Sequence, residues 1–209
     1  INAGFLSMTS GATDMTYIDN GTILNEIKHV EMSIGIYGNK GAAFGTYNLL
    51  QEAGNLRDFI SGYPVLICDG QRYTSPYGNY LSTPRARRTM IGYNETHFKI
   101  VTAEFPGLTF PELQEIALDL KCDYAINLDG GGSTRMLIDG KLKTSASVAN
   151  RPVDTVLCVY SEPIYSEGEE PKDNKAYIVA GPYTGEEIQK LKEMALLDTM
   201  RVVRVEEPA

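Results

Sequence analysis

The segment with the most evident chemistry runs from Ala125 to Thr134, with the sequence AINLDGGGST. An apolar run that is typical of a buried strand ends at the carboxylate of Asp129, and three glycines follow directly. Glycines let the backbone approach a ligand closely and turn its N–H groups toward an anion, and Ser133 and Thr134 add hydroxyl donors. The pattern predicts an anion-binding turn beside a carboxylate. The competing interpretation is a plain glycine-rich turn between two strands.

Three familiar glycine motifs do not fit this segment. A dinucleotide fingerprint requires a helix after the glycines, whereas residues 135–138 have the composition of a strand. A phosphate loop requires Gly-Lys-Ser/Thr, which this chain lacks. A nucleophile elbow requires a glycine two residues after the serine, where Arg135 stands. The segment therefore does not belong to any of these three classes.

A cluster of arginines is the second candidate feature in an otherwise acidic chain. Arg85, Arg87 and Arg88 are close neighbours, and Thr89 follows them. Because the guanidinium group pairs with phosphate through two hydrogen bonds, the cluster indicates phosphate binding. Alternation along a strand places Arg87 and Arg88 on opposite faces, so we expect only one or two of the three in a site. Arg151 is a further candidate; for each arginine, a solvated surface position is the alternative.

Acid–base chemistry is expected to come from carboxylates rather than imidazoles. Asp69, Glu104 and Asp129 each end a predicted strand, and sheets place ligand sites at strand ends. Backbone N–H groups near Asp129 favour its ionised form, which suits a base, and leave Glu104 as the better general acid. The alternative for Asp129 is a cap on its own turn. His29 and His97 are predicted at the surface.

Composition limits the function classes. The chain has 209 residues, of which 43% are hydrophobic and 22% charged, values typical of a folded globular protein. No apolar run is long enough for a transmembrane helix. The net charge of -8 disfavours nucleic acid as a partner. With two histidines and no CxxC pair, no spacing suits zinc, and the sequence identifies no metal site and no cofactor.

The three cysteines are predicted to be free thiols. Their odd number cannot form a complete disulfide framework. Cys68 and Cys158 lie in apolar strand-like runs, so we expect both to be small buried hydrophobic residues.

The elements that would position these residues point to an α+β (mixed α/β) fold with mixed β-sheets and a few packed helices. Asn20-Gly21 and Asp139-Gly140 predict hairpins over 15–24 and 135–143. Thr109 and Glu112 form a capping box that opens a helix. Helical spacing of apolar residues predicts a second helix that Gly62 ends. This second helix is predicted over residues 48–60, and a loop is predicted over 71–84. Strands are predicted at 30–36, 63–68, 88–93, 97–103, 123–128 and 153–160.

The composition changes near the C-terminal end. Residues 163–175 are rich in acidic residues and proline and predict a solvated linker. A strand at 177–180, a helix at 185–197 and a strand at 201–205 would follow as a small β-α-β unit, too small to bury a core alone. The predicted organisation is a domain over 1–162, the linker, and an appendage over 176–209.

Five motifs in order resemble the phosphodiester glycosidase family across residues 1–160. Residues 2–5 (NAGF) are similar to the family's N-G-G-F motif, residues 62–67 (GYPVLI) to its G-x-P-x-L segment, residues 88–92 (RTMIG) to R-T-A-I-G, residues 127–133 to N-L-D-G-G-G-S, and residues 151–153 to R-P-V. Family segments upstream of the first motif are absent, so an N-terminally truncated domain is expected.

The resemblance implies a hydrolase that acts on a sugar-1-phosphodiester, releasing the sugar and leaving a phosphomonoester. It implies that Asp129 and Glu104 are catalytic. The substrate would be bound by Asn2, Gly4, Arg88, Thr89, Asn127, Gly130, Gly131, Gly132, Ser133, Thr134 and Arg151. We expect Asn2, Arg88, Asp129 and Ser133 to converge on one cleft. The partner would be a sugar phosphodiester or another phosphate-containing glycan, in an extracytoplasmic or virion-associated setting, although free cysteines leave the cytoplasm open.

One departure from the family pattern supports a different function. Where the family has D-G-H or D-G-R, this chain has Ala103-Glu104-Phe105-Pro106-Gly107, so that Glu104 supplies a carboxylate without an adjacent His or Arg. The alternative is a non-catalytic module of a phage particle or cell surface, with a binding or structural role in a larger assembly. Such a module would recognise a phosphodiester-linked wall polymer.

Overall fold

The computed structural model describes residues 1, 5, 15–25, 32–36, 42–45, 50, 56–74, 84–94, 97–144, 153, 155–159, 179–180 and 200–204. In these ranges the protein is α+β with strands predominating, and neighbouring strands run mostly antiparallel. A single α-helix, α1 (Phe110–Asp119), has both its ends within them. The strands are β1 (Tyr17–Asp19), β2 (Thr22–Asn25), β3 (Met32–Ile36), β4 (Ala42–Gly45), β5 (Asp58–Gly62), β6 (Val65–Cys68), β7 (Gln71–Arg72), β8 (Ala86–Tyr93), β9 (Phe98–Leu108), β10 (Tyr124–Leu128), β11 (Leu137–Ile138), β12 (Lys141–Leu142), β13 (Thr155–Val159), β14 (Val179–Ala180) and β15 (Met200–Arg204).

Two larger sheets and α1 form three layers in the described part of the chain. One sheet has the strand order β2-β1-β5-β3-β4, and the other has the order β14-β9-β8-β10-β6-β7. The second sheet lies in the middle, because its two faces bury different side chains. Ile91 and Ile126 pack with Tyr17 and Ile60 of the first sheet. Met90 and its neighbours pack against α1.

Local sequence signals place several elements correctly. Asn20 and Gly21 have φ values of 47° and 78° between β1 and β2, and Asp139-Gly140 repeats the pattern between β11 and β12. Both hairpins are therefore confirmed. The capping box is also confirmed: the Glu112 backbone N–H donates to the Thr109 hydroxyl, and the Thr109 N–H donates to the Glu112 carboxylate.

The helix predicted over 48–60 is wrong at its C-terminal end, where the chain forms β5. This strand pairs with β1 on one side and with β3 on the other. Both of its faces are buried, so its apolar residues fit a helical spacing as well as a strand. Gly62 does not end a helix. It lies within β5, where a Cβ atom would stand 2.5 Å from the Asn127 carbonyl oxygen.

Other boundaries differ by a few residues from the prediction. Strands β8 and β9 are longer than expected, and β7 lies at the start of the predicted loop 71–84. Residues 135–136 precede the second hairpin without being strand. Strand β14 pairs in parallel with β9, and β15 pairs antiparallel with β13. The predicted linker 163–175 and the helix 185–197 lie outside the described residues, and the three-part organisation stays a prediction.

All three cysteines are free thiols, as expected. Cys68 and Cys158 are half-buried rather than buried, whereas Cys122 is buried beneath β8. The Cys122 sulfur occupies the space above Gly92, where a Cβ atom would stand only 2.5 Å from it. The glycine therefore makes room for the thiol.

We expect Cys122 to be the slowest of the three thiols to react in the native protein. Burial raises the pKa of Cys122 to about 12, and the thiolate is the reactive form. Native labelling at pH 8, followed by peptide mass spectrometry, should show modification of Cys122 at least ~100-fold slower than that of Cys158. Labelling of Cys122 at the rate of the half-buried thiols would contradict the packing around Gly92.

Candidate functional site

An ion pair joins two neighbouring strands, β8 and β9, where the arginine cluster lies. Arg87 on β8 donates from Nη2 to Oε1 of Glu104 on β9 at 2.5 Å. Their side chains are 10% and 18% exposed, so the pair is largely shielded from water but within reach of a ligand. The sequence identified Glu104 and found no adjacent basic residue. The structure brings one from the neighbouring strand.

A wide bulge in β9 puts Glu104 in this position. Ala86 pairs with Leu108 and Arg88 with Ala103, so the four residues 104–107 all lie opposite Arg87. Gly107 makes the return possible: its φ is 80°, and a Cβ atom there would stand 2.3 Å from the Ala86 carbonyl group. The Arg85 side chain donates to the Gly107 carbonyl oxygen at 2.7 Å. The bulge is therefore anchored on both sides of its exposed tip.

The glycine turn follows β10 and packs onto the same part of β8. Residues 131–133 form a short 3₁₀ turn, in which the Ser133 N–H donates to the Gly130 carbonyl oxygen at 3.0 Å. A Cβ atom on Gly130 would stand 2.7 Å from the Arg87 carbonyl oxygen, so only glycine permits this contact. Asp129 accepts the Gly130 N–H on Oδ1 at 2.9 Å. Asp129 thus caps its own turn, the arrangement that the sequence left as an alternative.

Thr134 links the turn to the ion pair. Its carbonyl oxygen accepts from Arg87 Nη2 at 3.3 Å and from Arg135 Nη1 at 3.2 Å. Its hydroxyl oxygen is buried and has no hydrogen-bond partner among the residues that the structure describes. A buried polar atom of this kind is uncommon in proteins and is a position where a ligand or water belongs. We call Arg87, Glu104, Thr134 and the turn 129–133 the strand-end cluster.

Arg88 does not join this cluster, because alternation along β8 turns its side chain toward α1. Its Nε atom donates to the Leu108 carbonyl oxygen at 3.1 Å, and Nη2 donates to the Pro84 carbonyl oxygen at 2.8 Å. The guanidinium carbon lies 4.0 Å from the centroid of the Phe110 ring. Burial lowers the pKa of Arg88. Arg88 thus connects the start of β8, the end of β9 and the start of α1.

The remaining predicted site residues are divided between the two faces of the sheet. Thr89 is buried opposite Leu128, on the face away from α1. Asn127 pairs with Met90 and so shares the face of α1, where Nδ2 donates to the Tyr63 carbonyl oxygen at 2.8 Å. The Oδ1 atom of Asn127 is buried without a hydrogen-bond partner within the described ranges. Ser133 is buried in the turn.

Several candidates lie away from the cluster or outside the described residues. Three of the candidates lie outside the described residues: Asn2, Gly4 and Arg151. Asp69 accepts the Tyr124 hydroxyl at 2.5 Å, at the opposite end of β10 from Asp129, and this bond raises the pKa of Tyr124 to about 12. Within the described parts of the chain, no three His, Cys, Asp or Glu side chains are grouped to hold a metal ion, and no helix is long and apolar enough to cross a membrane.

The residue that sequence reasoning did not single out is Arg87. The strand alternation of Arg87 and Arg88 was the available signal, and it is correct. Which of the two arginines pairs with Glu104 depends on the face of the sheet that carries Glu104. The bulge in β9 determines that face.

Comparisons with known proteins concern the family and the fold of this chain. A family model described as phosphodiester glycosidase matches residues 1–160. The catalytic domain of zebrafish N-acetylglucosamine-1-phosphodiester alpha-N-acetylglucosaminidase, auto-inhibited by its pro-peptide, is similar with a TM-score of 0.55 and 22% identity, over 68% of this chain and 53% of that chain. At this identity the likeness concerns the fold.

A second solved structure is more distant. A hypothetical protein from Synechocystis has a TM-score of 0.47 and 13% identity, with 73% of this chain and 50% of that chain covered. The chain spans about half the length of both solved structures. No curated protein sequence matches it significantly.

Proposed function

Because the chain belongs to the phosphodiester glycosidase family, we propose that it hydrolyses sugar-1-phosphodiesters, releasing the sugar and leaving a phosphomonoester. The observation that carries this proposal is the link between the Arg87–Glu104 ion pair and the glycine turn through the Thr134 carbonyl oxygen. A cation for the phosphate and the Glu104 carboxylate are thereby linked to the turn that Asp129 begins.

We propose that the strand-end cluster binds the phosphate. Arg87 supplies a guanidinium group that is held by two protein contacts, and such preorganised cations bind phosphate strongly. The buried Thr134 hydroxyl and the N–H groups of Gly131 and Gly132 supply neutral donors. Arg88 supports this region from behind through the bulge and α1. Asn2, Gly4 and Arg151 are retained as proposed contacts to the sugar or the phosphate, and Asn127 and Thr89 as proposed supports of the adjoining strands.

The two carboxylates would act on the sugar side of the phosphate. The ion pair of Glu104 with Arg87 supports a role as a carboxylate that activates a water molecule, rather than the general-acid role expected from the sequence. Asp129 accepts a backbone N–H and is likewise placed as an acceptor. A phosphomonoester leaves readily once Arg87 balances its charge, so that cleavage needs little help from an acid. Water would attack the anomeric carbon, as in glycoside hydrolysis.

A binding-only module is the second candidate, and one observation favours it. Both carboxylates are already engaged within the protein, Glu104 with Arg87 and Asp129 with the Gly130 N–H. If these contacts persist when a ligand is present, the cluster holds a phosphate-containing glycan without activating water. The two candidates share a binding site and differ only in turnover.

We expect hydrolysis of a nitrophenyl sugar-1-phosphodiester in ¹⁸O-enriched water to place the label in the released sugar. Attack at the anomeric carbon leaves all the original oxygens on the phosphomonoester. Mass spectrometry of both products measures the label. Label in the phosphomonoester would show attack at phosphorus and overturn the assignment of the carboxylates. Tight binding of the diester without products would establish the binding-only module.

A further inference from the structure

Arg135 donates hydrogen bonds to two carbonyl oxygens at the glycine turn. Its Nη1 atom donates to the Gly132 carbonyl oxygen at 3.0 Å and to the Thr134 carbonyl oxygen at 3.2 Å. Arg87 donates to the same Thr134 oxygen from Nη2 at 3.3 Å. Two guanidinium groups, one from β8 and one two residues after the turn, therefore meet at a single backbone oxygen.

The turn that these contacts hold has little stiffness of its own. Glycine has more conformational freedom to lose than any other residue, and three glycines stand in succession at 130–132. Within the 3₁₀ turn, the hydrogen bond from the Ser133 N–H measures 3.0 Å, but that from the Thr134 N–H to the Gly131 carbonyl oxygen measures 3.4 Å. A charged donor that bridges two carbonyl oxygens compensates for this weak closure, because charge-assisted hydrogen bonds are stronger than neutral ones.

We infer that Arg135 is a positioning residue for phosphate binding. It holds the carbonyl groups of Gly132 and Thr134, and so fixes the direction of the turn's N–H groups and of the Thr134 hydroxyl relative to Arg87. This inference rests on the proposed function, because it assumes that the strand-end cluster receives a phosphate. The buried Thr134 hydroxyl without a partner among the described residues is an independent sign that a ligand belongs at this turn.

The experiment is a titration of the full chain with inorganic phosphate, followed by the NMR amide signals of Gly131 and Gly132. The variants are Arg135→Gln and Arg135→Lys, with Arg72→Gln as the control. Arg72 is also an arginine that contacts a backbone carbonyl oxygen, but it lies on β7 and pairs with Glu115. Arg135→Gln should weaken phosphate binding about tenfold or more. It should also broaden the amide signals of Gly131 and Gly132 before phosphate is added. The phosphate affinity of Arg135→Lys should lie between those of Arg135→Gln and the original protein. Arg72→Gln should bind phosphate as the original protein does.

The outcomes separate this inference from the proposed function. If phosphate shifts no turn signals in the original protein, the phosphate site itself is wrong. If it shifts them equally in the original protein and in Arg135→Gln, only the role of Arg135 is overturned. If neither Arg135 variant folds, Arg135 is a general structural residue and the inference also fails.

Discussion

Exchange of Glu104 for glutamine is expected to lower kcat by about 100-fold or more while the protein stays folded. Glutamine keeps the size of the side chain and can still accept the Arg87 hydrogen bond, but it cannot take a proton from water. Asp129→Asn should lower kcat to a similar extent, because it removes the negative charge. The amide oxygen can still accept the Gly130 N–H, so the turn should stay folded. Initial rates on a sugar-1-phosphodiester and thermal unfolding of each variant measure the two properties separately.

A matched control for Glu104 exists on α1. Glu115 also forms an ion pair with an arginine, Arg72, but both side chains are about half exposed and this pair joins α1 to the edge strand β7. Glu115→Gln should leave kcat unchanged. Normal turnover in Glu104→Gln would refute its catalytic role. If Asp129→Asn unfolds at a much lower temperature than the original protein, Asp129 is a structural cap and its catalytic assignment is lost.

Arg87→Gln and Arg88→Gln are expected to fail in different ways, although the two residues are adjacent. Arg87 faces the strand-end cluster, so its loss should weaken the binding of a sugar phosphate about tenfold or more. Arg88 has hydrogen bonds to two carbonyl oxygens and contacts the Phe110 ring on the other face. Its loss should lower the free energy of unfolding by about 2–4 kcal/mol, with a smaller effect on binding.

Calorimetric titration with a sugar phosphate and urea unfolding of both variants test this contrast. The expected pattern is a loss of affinity in Arg87→Gln and a loss of stability in Arg88→Gln. Equal losses of affinity at unchanged stability would mean that both arginines act only as a diffuse positive field. A larger loss of affinity in Arg88→Gln would return the phosphate to the arginine that the family resemblance indicated.

The parts of the fold that local chemistry determines could be predicted from the sequence. Asn20-Gly21 requires left-handed backbone that these residues adopt readily, and Thr109 with Glu112 satisfies N–H groups at the start of α1. Strand β5 could not be predicted in this way. Its identity depends on strands β1 and β3, which come from other parts of the chain and cover both its edges. Long-range pairing overrides the helical spacing there.

In the candidate site, too, local sequence predicts some features, and long-range strand pairing determines others. The segment 127–134 was recognisable as a candidate from residue types alone, because three glycines after a strand-end carboxylate allow a turn whose N–H groups face an anion. The pairing of Glu104 with Arg87 was not, since it depends on a bulge that places four residues of β9 opposite one residue of β8. No local pattern in residues 103–107 specifies how many residues of β9 lie between its pairings with Arg88 and with Ala86.

The close approach of Cys122 to Gly92 is expected to couple the effects of substitutions at these two positions. A side chain at 92 would collide with the thiol, so any residue larger than glycine is harmful while cysteine occupies 122. Alanine at 122 would remove the sulfur that stands 2.5 Å from a Cβ atom at 92, and the nearest remaining atoms would be the Cβ of residue 122 and the Tyr124 carbonyl oxygen, both at 3.3 Å. Substitutions at the two sites should therefore show epistasis, each deleterious alone and better tolerated together. Any attempt to remove this cysteine for biophysical labelling should thus consider Gly92→Ala as its companion change.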